Sequence, residues 1–288
     1  MEPSPDNLTT TAPARQVLLE DYPALWKKVI REWKSDREGD RMWLVYAANY
    51  LFQTAGIRWA MDPITLYGRL GQADALNLAA DLEGLSFVLL THRHKDHLDF
   101  DLISALRHLP IRWVIPGFLQ FEVIRRTGLE RARIITPEIF RPITLDGIRV
   151  TPIPGAHWEQ ESGGTLRGVP AMGYAVEFKR KTWLFPGDTR AYREINIPLP
   201  KEIAGMVAHV WLGRGSARLE NPPLLDEFCR FCLSFHPARI MLAHLEEVGR
   251  EPEEMWDERH ADLVRARLNR LAPQTGVGTA RTGDGVDL

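Results

Sequence analysis

The sequence predicts a layered protein of the α/β or α+β class. Three observations carry this. Short strand-like apolar runs are grouped along the chain, with helical segments interspersed among them. No linker convincingly splits the 288 residues, and no motif repeats at a fixed period. Hydrophobic residues make up 44% of the chain, enough to bury a sizeable core.

Taken in order, residues 1–14 are polar and Pro/Thr-rich and read as a flexible tail. Leu18, Leu19, Tyr22, Leu25, Trp26, Val29, Ile30 and Trp33 then recur near helical spacing. An N-terminal amphipathic helix with an aromatic face is expected within 15–40, closed by the charged connector SDREGDR. Such a face usually packs, on its own domain or on a second copy in a homo-oligomer. Lipid contact is the less favoured reading.

The main domain is expected over 41–272. MWLVYAANYLFQT and IRWAMDP bracket a turn at Gly56 as a hairpin-like pair. Residues 72–83 favour helix, and SFVLL is a short strand running into THRHKDH. FDLISALRHL reads as helix, IRWVIPG as strand and LQFEVIRRTGL as helix. ARIITP, FRPITLDGIRVTPIP, MGYAVEFKRKTWLFPGD and GMVAHVWLG are strand-like. Segment 222–235 is a helix, RIMLAHL a strand, and 251–271 a charged amphipathic helix. Residues 273–288 carry no core pattern and are expected to form a second flexible tail.

Charge and cysteine usage narrow the function classes. The chain has 36 Lys plus Arg against 38 Asp plus Glu, a formal balance of −2. A protein that grips nucleic acid by bulk charge needs a basic excess, so no nucleic-acid partner is expected. No apolar run approaches the roughly 20 residues of a membrane span. The first residues lack the apolar region of a secretory signal. Two cysteines, Cys229 and Cys232, are too few for a disulfide framework, and a single CxxC does not complete a zinc site. They read as small residues on a helix face. A cytoplasmic location is the expectation.

The sharpest feature is His92-Arg93-His94-Lys95-Asp96-His97, between a buried-type strand and a helix. In an extended segment alternate side chains point the same way, so His92 and His94 can face one point. After a turn, Asp96 and His97 can face a neighbouring one. Neutral imidazole and carboxylate are good ligands for zinc and similar divalent ions. Downstream, His157, Asp188 and His244 each end a strand-like run, and Asp62 ends one upstream.

The ordered set of Asp62, HxHxDH at 92–97, His157, Asp188 in PGDT, and His244 resembles the metallo-β-lactamase-fold hydrolases. The likeness spans about residues 43–250. It implies a four-layer αββα sandwich of two mixed β-sheets flanked by helices, with a dinuclear site along one edge. By that resemblance His92, His94 and His157 hold one metal, and Asp96, His97 and His244 hold the second. Asp188 bridges both, and Asp62 orients a ligand from behind. Asp96, Asp188 and His244 are then the residues nearest the chemistry. Two divalent ions sharing one water lower its pKa, and the hydroxide attacks a carbonyl or phosphorus. Zinc is the default, with manganese and iron as alternatives.

Branch by branch, His94 stands where flavodiiron oxidases of this fold carry Glu, which disfavours an oxygen-reducing iron site. HxHxDHLD and the plain PGDT look more like ascorbate-6-phosphate lactonase and N-acylphosphatidylethanolamine phospholipase D. His157-Trp158 is also similar to the phospholipase. The segment EQESGGTLRGVPAMGY departs from both.

On the substrate side, residues 158–170 suggest a glycine-bearing loop beside the metal edge. Lys95, Trp158, Arg190, His209 and Arg214 are candidate substrate contacts, the cations suiting a phosphate or carboxylate. The expected activity is hydrolysis of an ester, lactone or phosphodiester bond in a small anionic molecule. The alternatives are a nuclease of the same fold and a non-catalytic metal-binding relative. The −2 balance does not exclude a locally positive pocket, because bound divalent ions add charge.

Overall fold

The apolar stripe at the N-terminus forms helix α1 (Thr11–Lys34). The computed structural model describes residues 11–35, 38–160, 166–189, 192, 197–213, 223–250 and 255–288. Residues 1–10 of the expected tail lie outside these, and the helix already includes Thr11. Tyr22, Trp26, Val29, Ile30 and Trp33 are buried. The Tyr22 hydroxyl donates to the Val45 carbonyl at 2.8 Å, and Trp33 Nε1 donates to that of Phe52 at 2.9 Å. Trp26 Nε1 donates to the Asp81 carboxylate at 2.7 Å. Each amphipathic ring therefore buries its body and satisfies its polar tip on the domain itself. The aromatic face is a packing face.

Next come β1 (Arg41–Leu44), β2 (Tyr50–Thr54) and β3 (Ile57–Met61), a meander closed by a two-residue turn at Ala55-Gly56. β4 (Phe87–Leu89), β5 (Arg112–Val114) and β6 (Ile134–Ile135) then add in parallel. Parallel strands need crossovers. Here these are the short helices α2 (Leu66–Arg69) and α3 (Leu78–Asp81), then α4 (Phe100–Leu106), then α5 (Gly117–Thr127). Residues 72–83, expected as one helix, hold only a single 3₁₀ turn and α3.

The second sheet starts with the antiparallel run β7 (Ile143–Leu145), β8 (Ile148–Gln160), β9 (Leu166–Phe178) and β10 (Lys181–Phe185). β11 (Gly205–His209) and β12 (Arg239–Ala243) follow in parallel, separated by α6 (Pro223–Ser234). The loop expected at 158–170 is instead mostly ladder. β8 and β9 pair continuously from Arg149↔Glu177 to Gln160↔Leu166, so Gly168 is carried as strand opposite Trp158, while Gly163 and Gly164 lie outside the described residues.

The charged helix expected over 251–271 is α7 (Glu258–Leu271). Asp257 caps it by accepting from the backbone N–H groups of Arg259 and His260, and this sets the start. Residues 251–254 lie outside the described residues.

The expected C-terminal tail is corrected outright. β13 (Gly276–Thr279) pairs in parallel with β12, and β14 (Gly285–Asp287) pairs antiparallel with β1. The two sheets therefore run β14-β1-β2-β3-β4-β5-β6 and β13-β12-β11-β10-β9-β8-β7. Each takes its final edge strand from residues 273–288. Val286 and Ala280 are buried there, but the segment is held mainly by backbone pairing, which leaves little hydrophobic signature.

Three apolar clusters define four layers. One, including Met42, Phe52, Trp59, Phe87, Tyr174 and Trp183, fills the space between the sheets. A second joins the first sheet to α1, α4 and α5. A third joins the second sheet to α6 and α7 and includes Cys229 and Cys232. Both are free thiols, and burial pushes that of Cys229 up to about 12. They are core residues, as the helix-face reading has it. The α+β sandwich is thus αββα, with two mixed sheets.

Candidate metal centre

The histidine motif leaves the C-terminal end of β4, while Asp62 follows β3 and Asp188 follows β10. His209 ends β11, His244 follows β12, and His157 stands within β8. Converging strand ends are where open parallel sheets build sites, because side chains there leave the ladder together. His97 N–H donates to the His94 carbonyl at 2.9 Å, closing the turn that swings Asp96 and His97 away from the line of His92 and His94. Gly187, at φ +70°, supplies the turn before Asp188 that a side-chain-bearing residue would resist.

Seven side chains meet in two groups. His92, His94 and His157 each offer a ring nitrogen within 4.8 Å of the others, as do Asp96, His97, Asp188 and His244 with one ligand atom each. Asp188 Oδ2 stands between them. It lies 3.9 Å from His92 Nε2 and 3.8 Å from His157 Nε2 on one side, and 3.4 Å from His97 Nε2 and 3.7 Å from His244 Nε2 on the other. Asp96 Oδ2 is 3.2 Å from His244 Nε2. All seven residues are buried except His94, which is half-buried.

The residues fit a divalent metal pair. His92 Nε2 and His97 Nε2 are buried with no hydrogen-bond partner, a costly condition that an ion relieves. Their other ring nitrogens are committed. His97 Nδ1 meets Asp62 Oδ2 at 2.8 Å, and His92 Nδ1 meets Thr91 Oγ1 at 3.0 Å. The Thr91 hydroxyl in turn donates to Asp62, and the Thr91 backbone N–H donates to Asp62 at 2.8 Å. Proton direction follows. Asp62 accepts from both His97 and Thr91, Thr91 accepts from His92, and both imidazoles are left with Nε2 as a lone-pair donor.

Charge is uneven across the centre. Burial pulls His92 well below the usual imidazole range, and neighbouring imidazoles add to this. Burial pulls His97 the same way, but Asp188 and Asp96 outweigh it and hold its pKa well above that range. Burial opposes ionisation of Asp96 and Asp188, yet His97 and His244 bring both carboxyls well below their ordinary values.

The remaining sequence candidates divide. His209 joins the centre as a brace for the bridging carboxylate. Its Nδ1 is 2.6 Å from Asp188 Oδ1 and its Nε2 is 2.9 Å from the Tyr50 hydroxyl. With both nitrogens engaged, it positions Asp188 and has none left for substrate. Lys95 is exposed on the motif turn. Trp158 lies in β8 with its side chain outside the described residues, and Arg190 and Arg214 lie outside them altogether.

Sequence reading missed several supports. Buried Asn49 donates from Nδ2 to the carbonyls of Asp62 (2.7 Å) and Asp96 (2.8 Å), tying two motifs together. Asp62 and His244 have φ of 43° and 64°, left-handed conformations that cost on the order of 1–3 kcal/mol and recur at functional sites. Buried Glu247 stands three residues after His244 and 3.9 Å from its Nε2, next to Arg250. An AANYL segment or an LEEVGR segment carries no motif by itself. Only the local density of polar residues after a strand could have drawn attention to the second.

Comparison with known proteins agrees with this geometry. Residues 61–209, just over half the chain, match the model of the beta-lactamase superfamily domain. A 4-amino-L-phenylalanyl-[CmlP-peptidyl-carrier-protein] 3-hydroxylase of Streptomyces venezuelae is 25% identical over 194 residues, 63% of this chain. The chain spans about a third (35%) of that relative's length. Among solved structures, a metallo hydrolase from the hyperthermophilic archaeon Ignicoccus hospitalis superposes with a TM-score of 0.60 at 15% identity. It covers 86% of this chain and 98% of its own. CmlA, a diiron β-hydroxylase from Streptomyces venezuelae, superposes at 0.59 with 17% identity, covering 88% of this chain and 55% of its own. The structural neighbours thus include both a metallo hydrolase and a diiron hydroxylase. Motif order, sandwich topology and the matched domain agree: the chain belongs to the beta-lactamase superfamily and has the metallo-β-lactamase fold.

Proposed function

We propose that this protein is a dinuclear metal-dependent hydrolase acting on an ester, lactone or phosphodiester bond of a small anionic substrate. The observation that carries the reading is Asp188 Oδ2, which reaches both ligand groups within 3.9 Å. One carboxylate oxygen so placed suits two ions better than one. Divalent ions bound there, zinc by default with manganese or iron as alternatives, supply a lowered water pKa and positive charge for a developing oxyanion.

The chain's own residues set the geometry. Asp62 and Thr91 hold His97 and His92 in one tautomer each. His209, itself held by Tyr50, fixes the Asp188 rotamer. Despite burial, His97 and His244 hold the Asp96 and Asp188 carboxyls well below their ordinary range, so either can accept a hydrogen bond from a water and orient it. The balanced net charge speaks against a nuclease, which RNA binding that weakens with added salt would reinstate. A cytoplasmic small-molecule enzyme is the setting we propose.

Metal analysis and a panel of phosphodiesters, lactones and thioesters on one preparation test the proposal. About two metals per chain with turnover of one panel member is the expected result. A second reading, a di-iron hydroxylating centre, is favoured by the hydroxylase relative at 25% identity and the diiron β-hydroxylase structure. Tight iron with oxygen uptake and no hydrolysis would establish it instead.

A further inference from the structure

Beside the metal centre lies a charged cluster that supplies none of the seven candidate ligands. Buried Glu247 receives two guanidinium groups. Arg69, at the end of α2, donates from Nη2 to Glu247 Oε1 at 3.1 Å, and Arg250 Nε donates to Glu247 Oε2. Two cations on one carboxylate leave one positive charge in excess.

The turn that carries Arg250 is held rigidly. Arg69 Nη2 also donates to the Gly249 carbonyl at 3.3 Å, and the Gly249 N–H donates to the Tyr46 hydroxyl at 3.3 Å. A Cβ at Gly249 would lie 2.7 Å from the Arg69 guanidinium carbon, so a side chain there would displace Arg69 from this contact. The surplus charge points to the metal edge. Arg250 Nη2 stands 3.9 Å from the metal-ligand candidate Asp96 Oδ2, and a quarter of the side chain is open to solvent.

We propose that Arg250 is the fixed cation that reads an anionic group of the substrate, a phosphate or carboxylate. This rests on the hydrolase reading and names the residue behind its charge preference. Arg69 already neutralises Glu247, so Arg250 is not needed for that. Asp96, once it serves a metal, no longer calls for a second counter-ion. A planar guanidinium clamped through Nε keeps its Nη edge for a bidentate anion. A guanidinium remains charged throughout the physiological pH range, so the group is a fixed cation.

The test uses zinc-loaded full-length protein, Arg250→Met and Arg250→Lys. Inorganic phosphate binding is measured by calorimetry, and zinc content by elemental analysis. Turnover is compared on bis(para-nitrophenyl) phosphate, an anion, and para-nitrophenyl acetate, a neutral ester. For Arg250→Met we expect unchanged zinc, about tenfold weaker phosphate binding, equivalent to about 1.4 kcal/mol, and a raised KM for the anionic ester alone. Arg250→Lys should recover part of the loss. Unchanged phosphate affinity, absence of phosphate binding by the parent, or equal losses on both esters would overturn the proposal. So would zinc loss in both variants, which would make Arg250 a positioning residue for Asp96. If the parent hydrolyses neither ester nor any phosphodiester, lactone or thioester of the wider panel, the hydrolase reading fails, while the phosphate titration still decides the role of Arg250.

Discussion

The two halves of the metal centre are built differently. His92, His94 and His157 form an all-imidazole group, with His94 half-buried on the motif turn and His157 supplied by the long β8–β9 ladder. Asp96, His97, Asp188 and His244 form a mixed group, buried throughout and braced from several sides. Asp62 holds His97, His209 and Tyr50 hold Asp188, and Asn49 ties the backbones of Asp62 and Asp96. A ligand held by a second shell binds with less lost motion. The comparison teaches that ligand count alone does not rank two half-sites. The mixed group should bind its ion more tightly once the proton on His97 has been displaced.

The largest expected effect breaks the distinction altogether. Asp188→Ala removes the oxygen common to both groups, and metal analysis should show at least one of about two ions lost per chain. Full occupancy would show that Asp188 does not bridge. Asp62→Asn is the selective probe. It weakens the acceptor behind His97, so affinity at the mixed half-site should fall about 10–100-fold while the imidazole group keeps its ion. Equal weakening of both, in a two-site metal titration, would make the Asp62 brace common property through Thr91.

Protonation sharpens the contrast next. In the metal-free chain His97 has a raised pKa and His92 a lowered one. A raised histidine contributes stability that is fully present below its unfolded value of about 6.5, and that is lost as pH rises through the higher folded value. A metal must displace that proton, so affinity at the mixed half-site should rise with pH by up to about tenfold per unit up to the folded pKa. His92 is already neutral and adds no such slope. Zinc titrations in buffers of differing ionisation heat would read the proton release, and none at the mixed half-site would contradict the assignment. The smallest effect is Tyr50→Phe. It strips the partner from His209 Nε2 at a cost of about 1 kcal/mol, seen as a modest drop in thermal midpoint and in turnover with both ions retained.

Legibility followed distance along the chain. HxHxDH puts four candidate ligands within six residues, so their closeness needed no tertiary knowledge. His157, Asp188 and His244 were legible because each closes a strand-like run and their order matches a superfamily. Asn49, Tyr50, Thr91 and Glu247 sit in ordinary contexts and meet the centre only through partners brought in by the fold. His209 was noticed, but its two hydrogen bonds, to a residue 21 positions away and another 159 away, change it from a substrate contact to a brace.

The sequence by itself indicated a layered architecture and the candidate ligand types, because periodicity and local spacing are properties of short segments; the sorting of those candidates into two groups came from the family resemblance and the folded geometry. The tertiary structure decided the rest. Residues 276–287 become edge strands of both sheets only because β12 and β1 present unpaired backbone edges to them. The aromatic face of α1 closes on its own domain because Val45, Phe52 and Asp81 offer acceptors at its height. Backbone pairing and hydrogen bonds across long separations leave almost no mark on composition, and this is why those features became visible only in the folded chain.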